Sequence, residues 1–352
     1  MVKERRHSYS CYKSEERGGG REQWIDICKG IGIILVLLAH AITKKTTLWK
    51  FINQFHMPLF FALSGYLYNC KDTFIIFVYK KAKGLYLPYI CSSVLMYMLY
   101  VLVGKETFSF VEIIKILMMI TEGPLLGAIW FLRVLFWAII IFDILNRFWG
   151  NKKKVIYIIS LIMMLIGVQI TFPYRFSNIL VALGFISIGK ILKDIEIEKN
   201  IIKCLWVPCF TIIFVASLFT KASVSTNTYT MPLLFILIAF VGIIGSISLS
   251  KDTLKVEINN INRLFCWLGR NTIGIVIWQF VAFKVVSAFQ IVVYNLDYSR
   301  IWDFPVIYDY STYGWVFCNI VVGILGSVGI YYVQQKLQEK IISACCHMNK
   351  NK

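Results

Sequence analysis

Charged residues are scarce in this sequence: Asp, Glu, Lys and Arg together make up 16 % of its 352 residues. A soluble globular domain carries about 25 %. Hydrophobic residues reach 58 %, and the mean hydropathy is +0.68. They fall in continuous runs of about 17–22 residues, the length of helix that crosses a hydrocarbon core of about 30 Å. The composition therefore excludes an ordinary soluble domain and favours a membrane protein.

Several motifs are also missing. The ten cysteines form no CxxC pair, so neither a disulfide scaffold nor a zinc site is predicted, and we expect no bound metal. No internal repeat is visible, which argues against an inverted-repeat transporter. The start of the chain has no cleavable signal pattern. Residues 1–23 are polar and basic, and we expect them to form a disordered cytosolic lead.

The apolar runs predict an all-α polytopic membrane protein with about ten transmembrane helices. Inside lipid every backbone polar group needs an internal partner, and barrel strands would show short alternating segments instead. The membrane domain is predicted over 24–333, with a cytosolic tail over 334–352. The stretch 109–121 is short and interrupted by charges, so we expect it to lie in the interface. Spans are predicted near 25–43, 51–69, 85–103, 127–145, 155–172, 176–192, 201–219, 231–249, 264–283 and 312–333.

The basic charge follows the predicted topology. The net charge is +18, and most of the 37 lysines and arginines fall in segments that face the cytoplasm if both termini lie inside. We therefore expect a multi-pass protein of the plasma membrane, in contact with the lipid bilayer and without a nucleic-acid partner. The first outer loop, which contains Lys44, Lys45 and Lys50, departs from this bias.

The first predicted span holds the most informative polar residues. Lys29 and His40 are eleven residues apart, so both lie on one helical face, about 16 Å apart along the axis. Asp26, three residues before Lys29, is placed to pair with it. A cation and an imidazole along one stripe suit a long ligand with an anionic head. The alternative is a snorkelling lysine and a histidine bonded to a neighbouring helix.

Further ionisable residues occur in or beside other spans. His56, at the start of the second span, is either a second catalytic or binding group or a structural hydrogen-bonding residue. Arg133 in the fourth span indicates a polar chamber open to the outside, and Arg270 marks a polar patch on the cytosolic side. Lys80, Lys81 and Lys83 form a cytosolic cluster, which either binds phosphates or anchors the protein by its charge.

The longest predicted connection, 284–311, is rich in aromatic and acidic residues. Aromatic residues at this level form an interfacial belt in many membrane proteins. A sharper interpretation is a sugar platform, in which rings stack on the acceptor and carboxylates bind its hydroxyl groups. The residues concerned are Tyr294, Asp297, Tyr298, Trp302, Asp303, Tyr308, Asp309 and Tyr310.

Together these segments resemble the integral-membrane acyltransferase family 3, and within it the fucose 4-O-acetylase-like branch. The resemblance covers nearly the whole membrane region. The segments that carry it are WIDICKGIGIILVLLAH (24–40), FHMPLFFALSGYLYN (55–69), KKAKGLYLPY (80–89), WFLRVLFW (130–137) and LGRNTIGIVIW (268–278).

The resemblance implies transfer of an acyl group, usually acetyl, from cytosolic acetyl-CoA to a hydroxyl of a surface or secreted glycan. No permanently bound cofactor is expected; acetyl-CoA is the donor substrate. Lys29 and His40 match the family pattern of a basic residue, ten positions and a histidine. Lys80 and Lys83 stand where relatives carry paired arginines, although Lys lacks the bidentate fork of Arg.

The resulting hypothesis makes His40 the general base for the acceptor hydroxyl. Lys29 and the lysines of the cytosolic cluster would bind the CoA phosphates. Arg133 would stabilise the oxyanion or bind the glycan. Two other classes stay open at this point. One is an exporter of glycan or acyl carrier without chemistry, and the other is an accessory subunit of a glycan-synthesis complex.

Overall fold

The computed structural model describes residues 22–69, 71–150, 152–256, 259–310 and 313–350. Within these ranges the chain is mostly helical. One antiparallel pair of two-residue strands interrupts it, β1 (Ala222–Ser223) and β2 (Thr228–Tyr229). The prediction of an all-α fold is confirmed. Only the last two residues of the predicted lead, 1–23, belong to the described part of the chain.

The helices follow the chain as a series of long segments joined by short turns. A π-helical turn over Ala82–Tyr86 joins α4 to α5, and 3-10 turns lie at Pro173–Arg175, Tyr298–Trp302 and Tyr308–Tyr310. The helices are α1 (Gln23–Ala41), α2 (Thr47–Asn53), α3 (His56–Tyr66), α4 (Phe74–Lys81), α5 (Leu87–Leu102), α6 (Phe110–Leu117), α7 (Trp130–Trp149), α8 (Lys153–Gln169), α9 (Phe176–Asp194), α10 (Ile197–Asn200), α11 (Trp206–Phe219), α12 (Pro232–Lys255), α13 (Asn259–Arg270), α14 (Thr272–Tyr294) and α15 (Tyr313–Lys350).

Six helical segments in the described ranges have the length and apolar composition to cross a membrane, and each overlaps a predicted span. The chain is therefore a multi-pass membrane protein. The total of ten spans and the cytoplasmic position of both termini stay predictions. The predicted tail, 334–352, begins inside α15. The six segments are Gln23–Ala41, Phe74–Leu102, Pro173–Asp194, Pro232–Lys255, Thr272–Tyr294 and Gly314–Gln338.

The predicted second span is divided into α2 and α3. The break falls at Gln54, whose side-chain Nε2 donates a hydrogen bond of 2.9 Å to Thr220 Oγ1. Pro58 lies in the first turn of α3, where its missing N–H costs no helical hydrogen bond. A proline here favours a new helix start over a continuous helix, and His56 becomes the first residue of α3.

The predicted ninth span also changes its bounds. It begins at Thr272 rather than near 264, because α13 is a separate helix that packs against the start of α1. A Cβ on Gly30 would lie 2.2 Å from the Phe265 carbonyl oxygen, and one on Gly269 would lie 2.0 Å from the Asp26 carbonyl oxygen. Only glycine permits this approach, which brings Arg270 against the first turns of α1.

The stretch predicted to lie in the interface forms α6. This helix of eight residues is too short to cross a hydrocarbon core. Its side chains Phe110, Val111 and Ile114 are exposed, at 73 %, 59 % and 53 %, while Glu112 and Lys115 form an ion pair of 2.6 Å. An exposed apolar face beside charged residues is the pattern of an interfacial helix.

Polar contacts join helices inside the apolar bundle. Trp278 Nε1 on α14 donates to Gln334 Oε1 on α15 at 2.8 Å, and Gln334 Nε2 donates to Ser92 Oγ on α5 at 3.1 Å. All three side chains are buried. Such bonds between helices fix their relative rotation where lipid supplies no competing partner.

Candidate active site

Two adjoining cavities lie along α1. We name them the Lys29 cavity and the His40 cavity after the α1 residue that lines each, and their volumes are about 370 and 460 Å³. They share four lining residues, Phe60, Phe131, Thr272 and Val276. The buried rings of Phe60 and Phe131 pack edge to face with centroids 5.8 Å apart. These four residues therefore form a common wall between the cavities.

The Lys29 cavity is lined by cations. Lys29, Lys80, Lys81 and Arg270 contribute to its wall, and the described lining residues include no carboxylate. Lys80 Nζ lies 2.8 Å from Asp72 Oδ2, and the Lys81 ammonium lies 5.3 Å above the Phe77 ring. Clustered ammonium and guanidinium groups are the donors that phosphate oxygens prefer.

The structure does not bring Lys83 to this cavity. Its side chain is exposed on the π-helical turn after α4 and lies outside the lining residues. Of the three lysines singled out in the sequence, Lys80 and Lys81 therefore face the cavity and Lys83 does not.

Asp26 acquires a partner that local spacing did not indicate. Its carboxylate is almost fully buried, and its Oδ2 accepts a hydrogen bond of 3.2 Å from Arg270 Nε. The two residues are 244 positions apart in the chain. The ion pair, together with the close approach of α13 to α1, holds the Arg270 guanidinium at the wall of the Lys29 cavity.

The His40 cavity contains both intramembrane histidines. His40 comes from the last turn of α1, and its ring packs edge to face against Phe280 with centroids 4.8 Å apart. His56 comes from the start of α3, and its Nδ1 lies 2.8 Å from the Ile52 carbonyl oxygen. A carbonyl only accepts, so Nδ1 donates, and Nε2 of the neutral ring keeps a lone pair.

Arg133, for which the sequence predicts an oxyanion or glycan contact, forms its hydrogen bonds and its ion pair with the loop before α7. It is buried and lies outside the residues that line either cavity. Its Nη1 donates to the Met119 carbonyl at 2.7 Å and also to the Ile120 carbonyl, and its Nη2 lies 3.3 Å from Glu122 Oε1. These contacts fix the loop before α7.

Arg175 lines the His40 cavity instead, and no motif in the sequence marked it. Its Nε donates to Glu122 Oε1 at 3.0 Å, and its guanidinium lies 5.4 Å above the Trp130 ring. Arg175 adopts a positive φ of 61° in the turn before α9. Only tertiary packing brings this turn to the cavity, so sequence spacing gives no signal for it.

The aromatic loop after α14 closes one side of the His40 cavity through Phe304, Pro305 and Tyr308. Burial raises the pKa of Tyr308 to about 12, so its hydroxyl stays protonated at neutral pH. Lys284 donates to the Asp303 carbonyl and holds the loop in place.

The acidic residues of this loop are engaged within it. Arg300 Nη2 lies 2.9 Å from Asp303 Oδ2 and 2.6 Å from Asp309 Oδ2. Asp303 and Asp309, two of the three carboxylates that the sugar-platform interpretation assigned to hydroxyl binding, therefore pair with Arg300. The third, Asp297, accepts a hydrogen bond of 2.7 Å from the Ser299 backbone N–H, while Tyr308 faces the cavity.

The protein is a helical membrane bundle that contains two adjoining cavities, one lined by cations and one by histidines. These features define the class as a polytopic membrane protein with an internal site. The family model of the acyltransferase domain, acyltransferase 3, matches residues 22–332, and the chain belongs to this family. It is therefore a membrane acyltransferase by family. No curated protein and no solved structure matches the chain. Within the described residues, no group of three or more His, Cys, Asp and Glu is placed to hold a metal ion.

Proposed function

We propose that the protein transfers an acetyl or other short acyl group from acyl-CoA to a hydroxyl of a cell-surface glycan or exopolysaccharide at the plasma membrane. The observation that carries this proposal is the shared wall between the two cavities. The wall lies between a cavity lined by cations, to which we assign phosphate binding, and a cavity lined by two imidazoles, so one path along α1 would serve both. The fucose 4-O-acetylase-like branch stays a prediction from the sequence motifs.

The donor fits this path by its chemistry. CoA carries phosphates at one end and the thioester at the other end of a long, flexible arm. Lys29 and His40 are separated by about 16 Å along α1. We assign the phosphates to Lys29, Lys80, Lys81 and Arg270, all of which line the Lys29 cavity. Lys83 is left out of this site because its exposed side chain lies away from the cavity.

The acceptor hydroxyl attacks the thioester carbonyl carbon at the common wall. In the proposed step, His40 takes the hydroxyl proton as the new C–O bond forms. The tetrahedral intermediate then expels the CoA sulfur, and the proton passes from the imidazolium to the thiolate. His56 faces the same cavity with Nε2 available, so it is the second candidate for this base.

Purified protein in liposomes tests the proposal with radiolabelled acetyl-CoA and an oligosaccharide acceptor. We expect His40→Ala to lower kcat by about 10²–10⁴-fold, the usual contribution of general acid–base catalysis, while the thermal unfolding midpoint is kept. His56→Ala is measured in parallel. Transfer at the normal rate by His40→Ala with loss in His56→Ala would move the base to His56. Normal transfer by both variants would overturn the mechanism.

Binding separates this function from export. An acyltransferase is stabilised by acetyl-CoA, so its unfolding midpoint rises with ligand concentration. Glycan flux across the vesicle membrane without any such shift would favour an exporter.

A further inference from the structure

The His40 cavity has a marked charge bias. Lys44, Arg175 and Lys221 contribute to its wall, and none of its described lining residues is an Asp or Glu. The Lys29 cavity already supplies four cations for a phosphate-bearing donor. The cations of the His40 cavity therefore need a separate explanation, because they surround the acceptor side of the proposed reaction.

Two of these cations are available to a ligand. Lys44 follows the end of α1, and Lys221 directly precedes β1. Both side chains are exposed, and neither forms an ion pair with any residue that the structure describes. They line one cavity although they come from distant parts of the chain, and two cations in one cavity favour an anionic ligand.

The third cation is only partly neutralised. Glu122 Oε1 lies 3.0 Å from Arg175 Nε and 3.3 Å from Arg133 Nη2, so two guanidinium groups share one carboxylate. Arg175 keeps 28 % of its side chain exposed. This trio carries a net positive charge at the cavity wall.

The remaining polar lining suits a sugar. Trp49 and Trp130 line the cavity together with a set of hydroxyl and amide groups. Aromatic rings supply apolar contact with a polar edge, and hydroxyl groups both donate and accept. The hydroxyl and amide residues are Asn53, Ser223, Ser225, Thr226, Thr228, Thr272 and Tyr308.

We propose that the acceptor is an acidic glycan, whose phosphate or carboxylate group binds Lys44, Lys221 and Arg175 while a nearby hydroxyl reaches the histidines. This inference rests on the proposed acyl transfer and names its acceptor class. A cavity lined by charge of one sign concentrates ligands of the opposite sign and raises their association rate.

Matched acceptors test the inference in vesicles of neutral phosphatidylcholine, which removes anionic lipid as a competing ligand. The acceptors are a neutral trisaccharide, the same trisaccharide with a terminal uronate, and its terminal phosphate ester. We expect kcat/KM to be about tenfold or more higher for the acidic acceptors, and the ratio to fall as salt is raised. The uronate and phosphate arms identify which anion is preferred.

The variant Lys44→Gln/Lys221→Gln should bring the acidic-to-neutral ratio of kcat/KM towards one. Lys45→Gln is the matched control, because Lys45 is an exposed neighbour that does not line the cavity. Equal kcat/KM for neutral and acidic acceptors in the unmodified protein would overturn the inference. An unchanged preference in the double variant, or a loss of the same size in the control, would also overturn it.

Binding without acyl-CoA distinguishes a failure of this inference from a failure of the proposed function. Trp49 and Trp130 line the cavity, so the part of a fluorescence change that Trp49→Phe or Trp130→Phe removes from the signal of the ten tryptophans reports acceptor binding. Salt-sensitive binding of the acidic sugars that depends on Lys44 and Lys221 supports the inference even if no acyl transfer occurs. Equal transfer to every acceptor, with no preferential binding of the acidic sugars, would support the acyltransferase function and overturn the inference of an acidic acceptor. Inhibition of acidic-sugar binding by added anionic lipid, with no acceptor preference, would assign the cations to lipid headgroups.

Discussion

At the scale of single residues, the two histidines differ in how they are held. The Ile52 carbonyl fixes His56 through Nδ1, whereas His40 rests against the Phe280 ring and accepts or donates no hydrogen bond among the described residues. The hydrogen bond restrains the orientation of the His56 ring, as a third group orients the base in a catalytic triad. The His40 ring is restrained by packing alone and is therefore freer to rotate. This difference makes separate substitutions of His40 and His56 informative.

The Asp26–Arg270 pair gives a residue-scale prediction on donor binding. Arg270→Gln removes one of the four cations of the Lys29 cavity and leaves the buried Asp26 carboxylate without this guanidinium. Both changes weaken phosphate binding, so we expect KM for acetyl-CoA to rise about tenfold with little change in kcat. Initial rates at saturating acceptor measure this. Lys71→Gln, an exposed lysine outside both cavities, serves as the control.

A double substitution tests the coupling itself. Asp26→Asn added to Arg270→Gln removes the remaining carboxylate and should recover part of the lost affinity. If the effects of the two substitutions simply add, then the ion pair has no influence on donor binding.

At the scale of elements, helical spacing predicted some features and missed others. The 100° step placed Lys29 and His40 on one face of α1, and they line adjoining cavities. The same reasoning could not find the break at Gln54, because a hydrogen bond to Thr220 from another element supports it. It also could not find Arg270 as a partner of Asp26, since the approach of α13 depends on two glycines far apart in the chain.

The divided second span leads to a prediction on topology. The helix α3 has 11 residues, about 16 Å, and cannot cross a core of about 30 Å alone. If α2 and α3 cross together, then Lys44 and Lys71 lie on opposite sides of the membrane. A membrane-impermeant maleimide should label Lys44→Cys in intact cells, and Lys71→Cys only after permeabilisation. The unmodified protein gives the background of its own cysteines, and labelling of both positions from outside would show that this segment does not cross.

At the scale of the whole molecule, the site arises where distant elements meet. The His40 cavity combines side chains of α1, α3, α7 and α14 with the β1–β2 hairpin and the loop after α14. Sequence motifs identified the residues on the first two spans because those lie close in the chain. Arg175 and Lys221 were not identifiable in this way, since each reaches the cavity only through packing. The family assignment, the stripe on α1 and the involvement of Tyr308 were therefore predictable, and the cations that other elements bring to the His40 cavity were not.

The common wall leads to the last prediction, on the size of the acyl group. In the proposed reaction the thioester reaches the histidines past Phe60 and Phe131, whose buried rings separate the cavities. Phe131→Ala removes a ring there and makes room for longer acyl chains. We expect the kcat/KM ratio of butyryl-CoA to acetyl-CoA to rise about tenfold or more, because each methylene in an apolar pocket is worth about 1–3 kcal/mol.

Truncation of a buried phenylalanine costs about 3–5 kcal/mol of stability, so Phe131→Leu is made in parallel as the milder change. Phe289→Ala is the control, since Phe289 is 62 % exposed and lies outside both cavities. If the common wall limits the acyl group, the ratio of kcat/KM for butyryl-CoA to that for acetyl-CoA is largest in Phe131→Ala, intermediate in Phe131→Leu and smallest in the unmodified protein. Folded Phe131 variants that keep the unmodified ratio would mean that the acyl group follows a path other than the junction of the two cavities.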